Sequence, residues 1–246
     1  MKRRHDCQND YRNQPAERNS AALEPQDHYY SRNPSADSRR SVIRYVIKCD
    51  PPFYTKHPDP DVIISSGEIG LPFITDSGVF SKTRADFGTD LLIKSIPQLG
   101  GKVLDLGCGY GIAGISLALL NPESEMWFAD INERAVELCR ENYSRIVSPL
   151  RPGGLAPNIV CSDGFAKLQS VAFDAIIMNP PIRSGKENIF RLYKEACAHL
   201  NPGGALFVVI QKKQGMESTF NELNKLFGNC ADIARKAGYH VLQAVK

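Results

Sequence analysis

The run "FDAIIMNPPIRSGKE", residues 173–187, carries the most specific chemistry in the chain. Apolar residues lead straight into Asn179-Pro180-Pro181-Ile182, where a strand cannot comfortably continue because proline has no N–H. Asn179 offers an amide oxygen and Pro180 a backbone carbonyl, and the proline rings fix φ, so the carbonyl is held in advance. Two such acceptors suit the N–H groups of a planar amine. The same residues also suit a rigid strand-ending turn, so their meaning depends on what lies beside them.

Upstream, "VLDLGCGYGIAG" places Asp105, Gly107, Cys108, Gly109 and Gly111 between an apolar run and a helical one. Glycines here allow a tight turn and close approach of a ligand, and Gly109-x-Gly111-x-x-Gly114 satisfies the dinucleotide fingerprint literally. Asp130 follows at the spacing of a ribose-binding acid, with helix capping as its alternative duty. The rest of the loop argues against a pyrophosphate. Asp105 precedes the first glycine, and its carboxylate repels a diphosphate but suits the sulfonium and α-amino group of S-adenosylmethionine. Asp163, in "CSDGF", is placed to accept from an adenine amine, or is an ordinary loop aspartate.

These residues need a scaffold that brings them to one edge. "KVLDLG", "EMWFAD", "NIVCSD", "FDAIIMN" and "ALFVVIQ" read as strands, with "GIAGISLALL" and "NERAVELCRENYSRIV" as helices between them. Ile189, Tyr193, Ala196, Cys197 and Leu200 mark a further helix face, and Met216, Phe220, Leu223 and Phe227 another. Continuous apolar strands alternating with helices imply a parallel sheet covered on both faces, with ligands at its carboxyl edge. "ADIARKAGYHVLQAV" reads as two closing strands turning near Ala237-Gly238, which implies an antiparallel strand at one edge. The expected fold is an open, Rossmann-like, doubly wound α/β sheet. Ahead of it, "SVIRYVIK" alternates like a half-buried strand and "LPFITDSGVFS" reads as a strand running into a turn. "TDLLIKSI" reads as a short helix capped near Thr89 or Asp90 and stopped by Pro97. The expected division is a polar tail over 1–38, a β-hairpin and helix extension over 39–98, and the main domain over 99–246.

With "DLGCGYG", "ADIN" and "MNPPI" in this order, the chain resembles class I S-adenosylmethionine-dependent methyltransferases. More narrowly, "TDSGVFSKTRADFGTDLLI" and "NPPIRSGKE" resemble the small-subunit ribosomal RNA guanine-N2 methyltransferase family, as a single-domain relative, over about residues 72–246. The resemblance implies methyl transfer to an exocyclic amine, guanine N2 in ribosomal RNA first, with RNA or a ribosomal subunit as partner. It implies a cofactor site at Asp105, Gly107, Cys108, Gly109, Gly111, Asp130, Ile131, Asn132, Asp163, Gly164, Phe165 and Asn179. Asn179 and Pro180 are then catalytic, accepting both N–H groups so that the nitrogen lone pair turns toward the methyl group. Phe80, Pro181, Ile182, Arg183 and Lys186 face the substrate. Amine methyltransferases with this turn often carry an aromatic residue where Ile182 stands; Ile182 packs on a base but cannot stack, and Phe80 is the candidate ring. Arg183 and Lys186 oppose the dipole of the helix they begin, so either a phosphate or plain solvation explains them. Lys212 and Lys213 extend that patch along the carboxyl edge. Adenine N6 and a protein glutamine amide are similar planar amines.

Composition narrows the field further. Net charge is +3, of which residues 1–40 supply +2, so any basic surface must be local. Residues 1–38 hold Leu23 as their only large aliphatic side chain and read as a disordered tail, with Tyr29 and Tyr30 as a possible docking point. No run approaches the ~20 apolar residues of a membrane span, and the start lacks a signal-peptide core, so a cytoplasmic protein is expected. Seven scattered cysteines read as reduced thiols, and five histidines show no ligand spacing, so neither metal nor disulfide is indicated. A nicotinamide-dependent oxidoreductase leaves Asp105 and Asn179-Pro180-Pro181 without a task. A cofactor-binding module without catalysis has no need of Asn179.

Overall fold

The computed structural model describes residues 40–48, 56–65, 67–76, 86–151 and 154–246. The expected tail over 1–38 and Phe80 lie outside the described residues. Strands β1 (Arg40–Lys48), β2 (Ile63–Ser65) and β3 (Glu68–Asp76) form a small antiparallel sheet in the order β1-β3-β2. In β1, Ile43, Tyr45 and Ile47 are buried while Val42, Arg44 and Val46 are exposed, the alternation that period-two side chains produce when one face meets a core. β2 was not legible, being three residues long beside a Pro- and Asp-rich loop.

Helix α1 (Phe87–Ser95) follows, then β4 (Lys102–Leu106), α2 (Ile112–Leu120), β5 (Glu125–Asp130), α3 (Glu133–Ile146), β6 (Asn158–Cys161), β7 (Phe173–Met178), α4 (Lys186–His199), β8 (Leu200–Gln211), α5 (Met216–Phe227), β9 (Ala231–Lys236) and β10 (Tyr239–Val245). The main sheet has the order β6-β5-β4-β7-β8-β10-β9. β4 through β8 are mutually parallel, and β10 is antiparallel to both neighbours. The antiparallel strand therefore sits one place in from the edge, with β9 outermost. Ala237 and Gly238, both at positive φ, make the tight turn between them. The strand order reverses beside β4, which opens a crevice at the carboxyl ends of β4 and β7.

Each face of this sheet buries a separate core. Odd positions such as Val103, Ala175, Ile177, Phe207 and Val209 meet α1–α3 and the small sheet; even ones such as Leu104, Ile176, Met178, Val208 and Ile210 meet α4 and α5. The small sheet is fastened to α3 by polar groups. Asn142, fully buried, accepts from Ile74 N at 2.8 Å and donates to the Ile74 and Tyr110 carbonyls at 2.9 Å each. Arg134 pairs with Asp76 at 2.8 Å, and Arg145 pairs with Asp59. Burial works to raise the Asp59 pKa, yet the Arg145 hydrogen bond, with help from the Asp61 backbone, holds it below the usual carboxylate range.

Candidate active site

Asn179 continues the odd alternation of Ala175 and Ile177, so its side chain turns toward α1. There Nδ2 donates to Thr89 Oγ1 at 3.0 Å and to Asp86 Oδ2 at 3.3 Å. A carboxylate only accepts, so the edge of the amide facing Asp86 must be the nitrogen. Oδ1 is thereby left pointing away from α1, and among the described residues nothing donates to it or to the Pro180 carbonyl. Asp86 is the N-cap of α1, accepting from Gly88 N at 3.1 Å, in place of Thr89 or Asp90 as the sequence suggested. Thr89 is buried in the first turn with its hydroxyl turned to Asn179. Asp90 instead accepts from the Tyr45 hydroxyl at 3.0 Å, which ties β1 to α1.

The glycine loop is shaped by close approach. Gly111, at φ 92°, caps α2, and a Cβ there lies 2.8 Å from Cys139 Sγ. A Cβ on Gly114 lies 2.4 Å from Phe128, so the third glycine lets α2 settle on β5. Asp105 is buried, its Oδ2 accepting from Gly114 N at 2.8 Å, which fastens the loop from beneath. Burial raises its pKa to about 7 despite that hydrogen bond, and the nearby Asp130 adds to the rise. Asp130, half-buried at the end of β5, accepts from Gly109 N through one oxygen and from Asn132 N through the other, each at 2.8 Å. Burial raises its pKa as well, against the pull of those N–H groups. Asn132 caps α3 by accepting from Arg134 N at 3.0 Å. Cys108 is buried with its thiol beside Cys139, and that contact and burial push its pKa up.

The other expected site residues separate. Ile131 is 68% exposed next to Asp130, an apolar surface facing the crevice end. Asp163 is exposed and pairs with Arg191 at 2.6 Å, a partner on α4 that the sequence did not suggest. Gly164 packs under Leu192 and Glu195. Phe165 is buried in the core and stacked on His199 at 4.5 Å. Pro180 is buried, Pro181 exposed, and Ile182 rests partly buried against the α4 side of the core. Lys186 is exposed, with its ammonium 5.0 Å above the Phe190 ring. Arg183 lies in the short turn Ile182–Ser184, and its side chain is outside what is described. Sequence reasoning missed Asp86 and Thr89 as partners of Asn179, although "DFGTD" carries a capping aspartate ahead of the threonine.

A seven-stranded sheet with one reversed inner strand, a glycine loop after its first strand in sequence and Asn-Pro-Pro after its fourth defines an S-adenosylmethionine-dependent methyltransferase. The chain belongs to the methyltransferase small domain family, which residues 70–243 match. It is 37% identical over 223 residues to the uncharacterized protein YbxB of Bacillus subtilis, covering 89% of this chain and 98% of that one. It is 33% identical to ribosomal RNA large subunit methyltransferase G of Streptomyces avermitilis, over 72% of this chain and 46% of that one. Ribosomal RNA small subunit methyltransferase C of Shewanella loihica is 32% identical, over 70% of this chain and 49% of that one. The chain thus spans about half the length of these two ribosomal RNA methyltransferases. Among solved structures, its fold matches the Thermus thermophilus 16S rRNA N2 G1207 methyltransferase, in complex with AdoMet and guanosine, with a TM-score of 0.64 and 22% identity, over 85% of this chain and 51% of that one.

S-adenosyl-L-methionine is the cofactor, and the site fits it. Space over Gly107 is open, with no atom within 4 Å of a Cβ built there. The half-buried Asp130 carboxylate has lone pairs beyond those the loop occupies, and the exposed Ile131 beside it suits an aromatic ring.

Proposed function

We propose that this protein methylates the exocyclic N2 of guanine in ribosomal RNA. One observation carries the reading: Asp86 and Thr89 both accept from Asn179 Nδ2, so Oδ1 is held as an acceptor beside the Pro180 carbonyl. S-adenosyl-L-methionine supplies an electrophilic methyl group on a sulfonium centre. Asn179 Oδ1 and the Pro180 oxygen accept the two N–H groups of the amine, which pulls its lone pair out of ring conjugation and aims it along the reaction axis. The prolines fix the carbonyl before substrate arrives, so little is lost to reorganisation. The methylated nitrogen is cationic and releases a proton readily to solvent, and no strong base is required. The choice of guanine N2 in ribosomal RNA is supported by the names of the relatives and of the structural neighbour. The same reading makes it a cytoplasmic enzyme; among the described residues no helix is long and apolar enough to cross a membrane.

The test incubates the protein with methyl-labelled cofactor and separate pools of undermethylated ribosomal subunits, bare ribosomal RNA, DNA and protein. Digestion is expected to yield labelled N2-methylguanosine, abolished by Asn179→Ala while cofactor binding persists. Label in N6-methyladenine or methylglutamine retains the amine chemistry and overturns guanine. Cofactor binding without label in any pool points to a binding module.

A further inference from the structure

A pair of rings stands beside Asn179 with no duty in the chemistry above. Phe87, the first residue of α1, is 38% exposed, and Tyr239, the first of β10, is half-buried. Their centroids are 5.6 Å apart with planes inclined by 38°. Tyr239 lies close to Asp86, the carboxylate that also accepts from Asn179 Nδ2, so one side chain separates this ring from the catalytic amide. The topology makes the placement unavoidable. Because β10 is antiparallel, its first residue pairs with Gln211 at the carboxyl end of β8, on the edge that holds the site. Gly88 lets the ring come close, since a Cβ there lies 2.9 Å from two Tyr239 ring carbons.

Cations surround the same spot. Lys236 is directly opposite Tyr239 in the β9–β10 register, and residues so paired project from one face. Lys212 and Lys213 follow β8, and the Lys212 N–H donates to the Gly238 carbonyl at 2.7 Å, which seats them against the β9–β10 turn. All three are exposed, and among the described residues none has a carboxylate partner. Rings with adjacent unneutralised cations match a nucleic-acid strand, whose bases stack on aromatic faces while its phosphates meet lysines. An acidic peptide engages the lysines but gives the rings nothing to stack on.

We propose that Phe87 and Tyr239, with Lys212, Lys213 and Lys236, form the subsite for the nucleotide next to the target base in a single-stranded RNA segment. The proposal rests on reading the Asn179 site as one that receives an RNA base.

The test measures binding of fluorescent single-stranded RNA nonamers, with guanine or adenine at the centre, to cofactor-loaded protein. Phe87→Ala and Tyr239→Ala are expected to weaken binding roughly 5- to 150-fold, the range for losing one base–aromatic stack. Cofactor affinity in both is expected to match the unsubstituted protein, which also reports that they fold. Tyr239→Phe keeps the ring and is expected to bind RNA normally. Lys212→Gln with Lys213→Gln is expected to flatten the salt dependence of binding. RNA affinity unchanged in both alanine variants, or reduced as much by Tyr239→Phe as by Tyr239→Ala, overturns the subsite, as does failure of the unsubstituted protein to bind either nonamer. Ring-dependent binding that ignores the central base keeps the subsite and counts against guanine as the target.

Discussion

The orientation of one amide decides whether Asn179 can accept from an amine, and that orientation is open to perturbation. In the observed arrangement Nδ2 makes two hydrogen bonds, one of them to a carboxylate. Flipping the amide sets oxygen against the Asp86 carboxylate and forfeits that bond, at about 1.5–3 kcal/mol, while the Thr89 hydroxyl can turn and donate instead. The flipped form is then populated below about 10%. Thr89→Val removes the hydroxyl at nearly constant shape, and Asp86→Ser keeps a helix cap while withdrawing the carboxylate. Together they leave the amide with no preferred orientation and an unfixed torsion, so the acceptor is lost half the time and misplaced for much of the rest. A displacement of 1 Å costs on the order of 10²-fold in rate, so kcat in the double variant is expected to fall about 10²-fold. Thr89→Val alone is expected to lose several-fold, and Asn179→Ala about 10²–10³-fold.

The assay is initial-rate methylation of undermethylated ribosomal subunits, with cofactor affinity measured separately by calorimetry. The decisive readout is a mutant cycle. If Asp86 and Thr89 act through Asn179, substituting them in the Asn179→Ala background changes kcat no further. Full additivity in that cycle, or an unimpaired double variant, refutes the reasoning, because the two residues would then serve only the helix.

Three other outcomes follow from the same geometry. The Asp105 pKa of about 7 lies above its unfolded value of 3.8, so the folded state holds the proton more tightly, and stability falls as pH rises between those values. The total loss is roughly 4 kcal/mol, with Asp130 shifted in the same direction; denaturation at pH 5 to 8 without cofactor is expected to show it, and Asp105→Asn to flatten much of it. Gly114→Ala forces a methyl group to within 2.4 Å of Phe128 and is expected to cost about 1–3 kcal/mol by overpacking, read as a lowered denaturation midpoint. Asn142→Leu strands one backbone N–H and two carbonyls in a buried position and is expected to cost about 3 kcal/mol, with weaker cofactor binding because Tyr110 of the glycine loop loses its tether.

The strands and helices of the main sheet were legible because burial on both faces leaves continuous apolar runs, as in "FDAIIM" and "ALFVVI". The place of β10 inside the edge was not, since a short hairpin pairs with the sheet through either of its strands and only side-chain fit selects one. The cap of α1 was misplaced because Asp86, Thr89 and Asp90 are all good capping residues, and local propensity does not say which of them another strand will claim. Asn179 was found because a strand ending in Asn-Pro-Pro is locally odd. Its partners were missed for a different reason: Asp86 lies 93 residues away, and no local pattern records a contact across that distance. Asp163 shows the same limit in reverse, its suspected ligand role overlaid by an ion pair with Arg191.

These long-range contacts change what the N-terminal segment is for. Main-sheet strands alone present Asn179 at a carboxyl edge, yet nothing on them chooses between its oxygen and its nitrogen. That choice comes from α1, and α1 is itself held from the small sheet by the Tyr45–Asp90 hydrogen bond. The small sheet in turn rests on α3 through Asn142, Asp76 and Asp59, while Ile69, Leu71 and Phe73 of β3 are fully buried in the core that α2 and α3 share. Each of those three side chains contributes about 1.5–3 kcal/mol of burial, more than an accessory flap needs. The β1–β3 segment is therefore a structural part of the acceptor site, carrying orientation from α3 through α1 to a single amide.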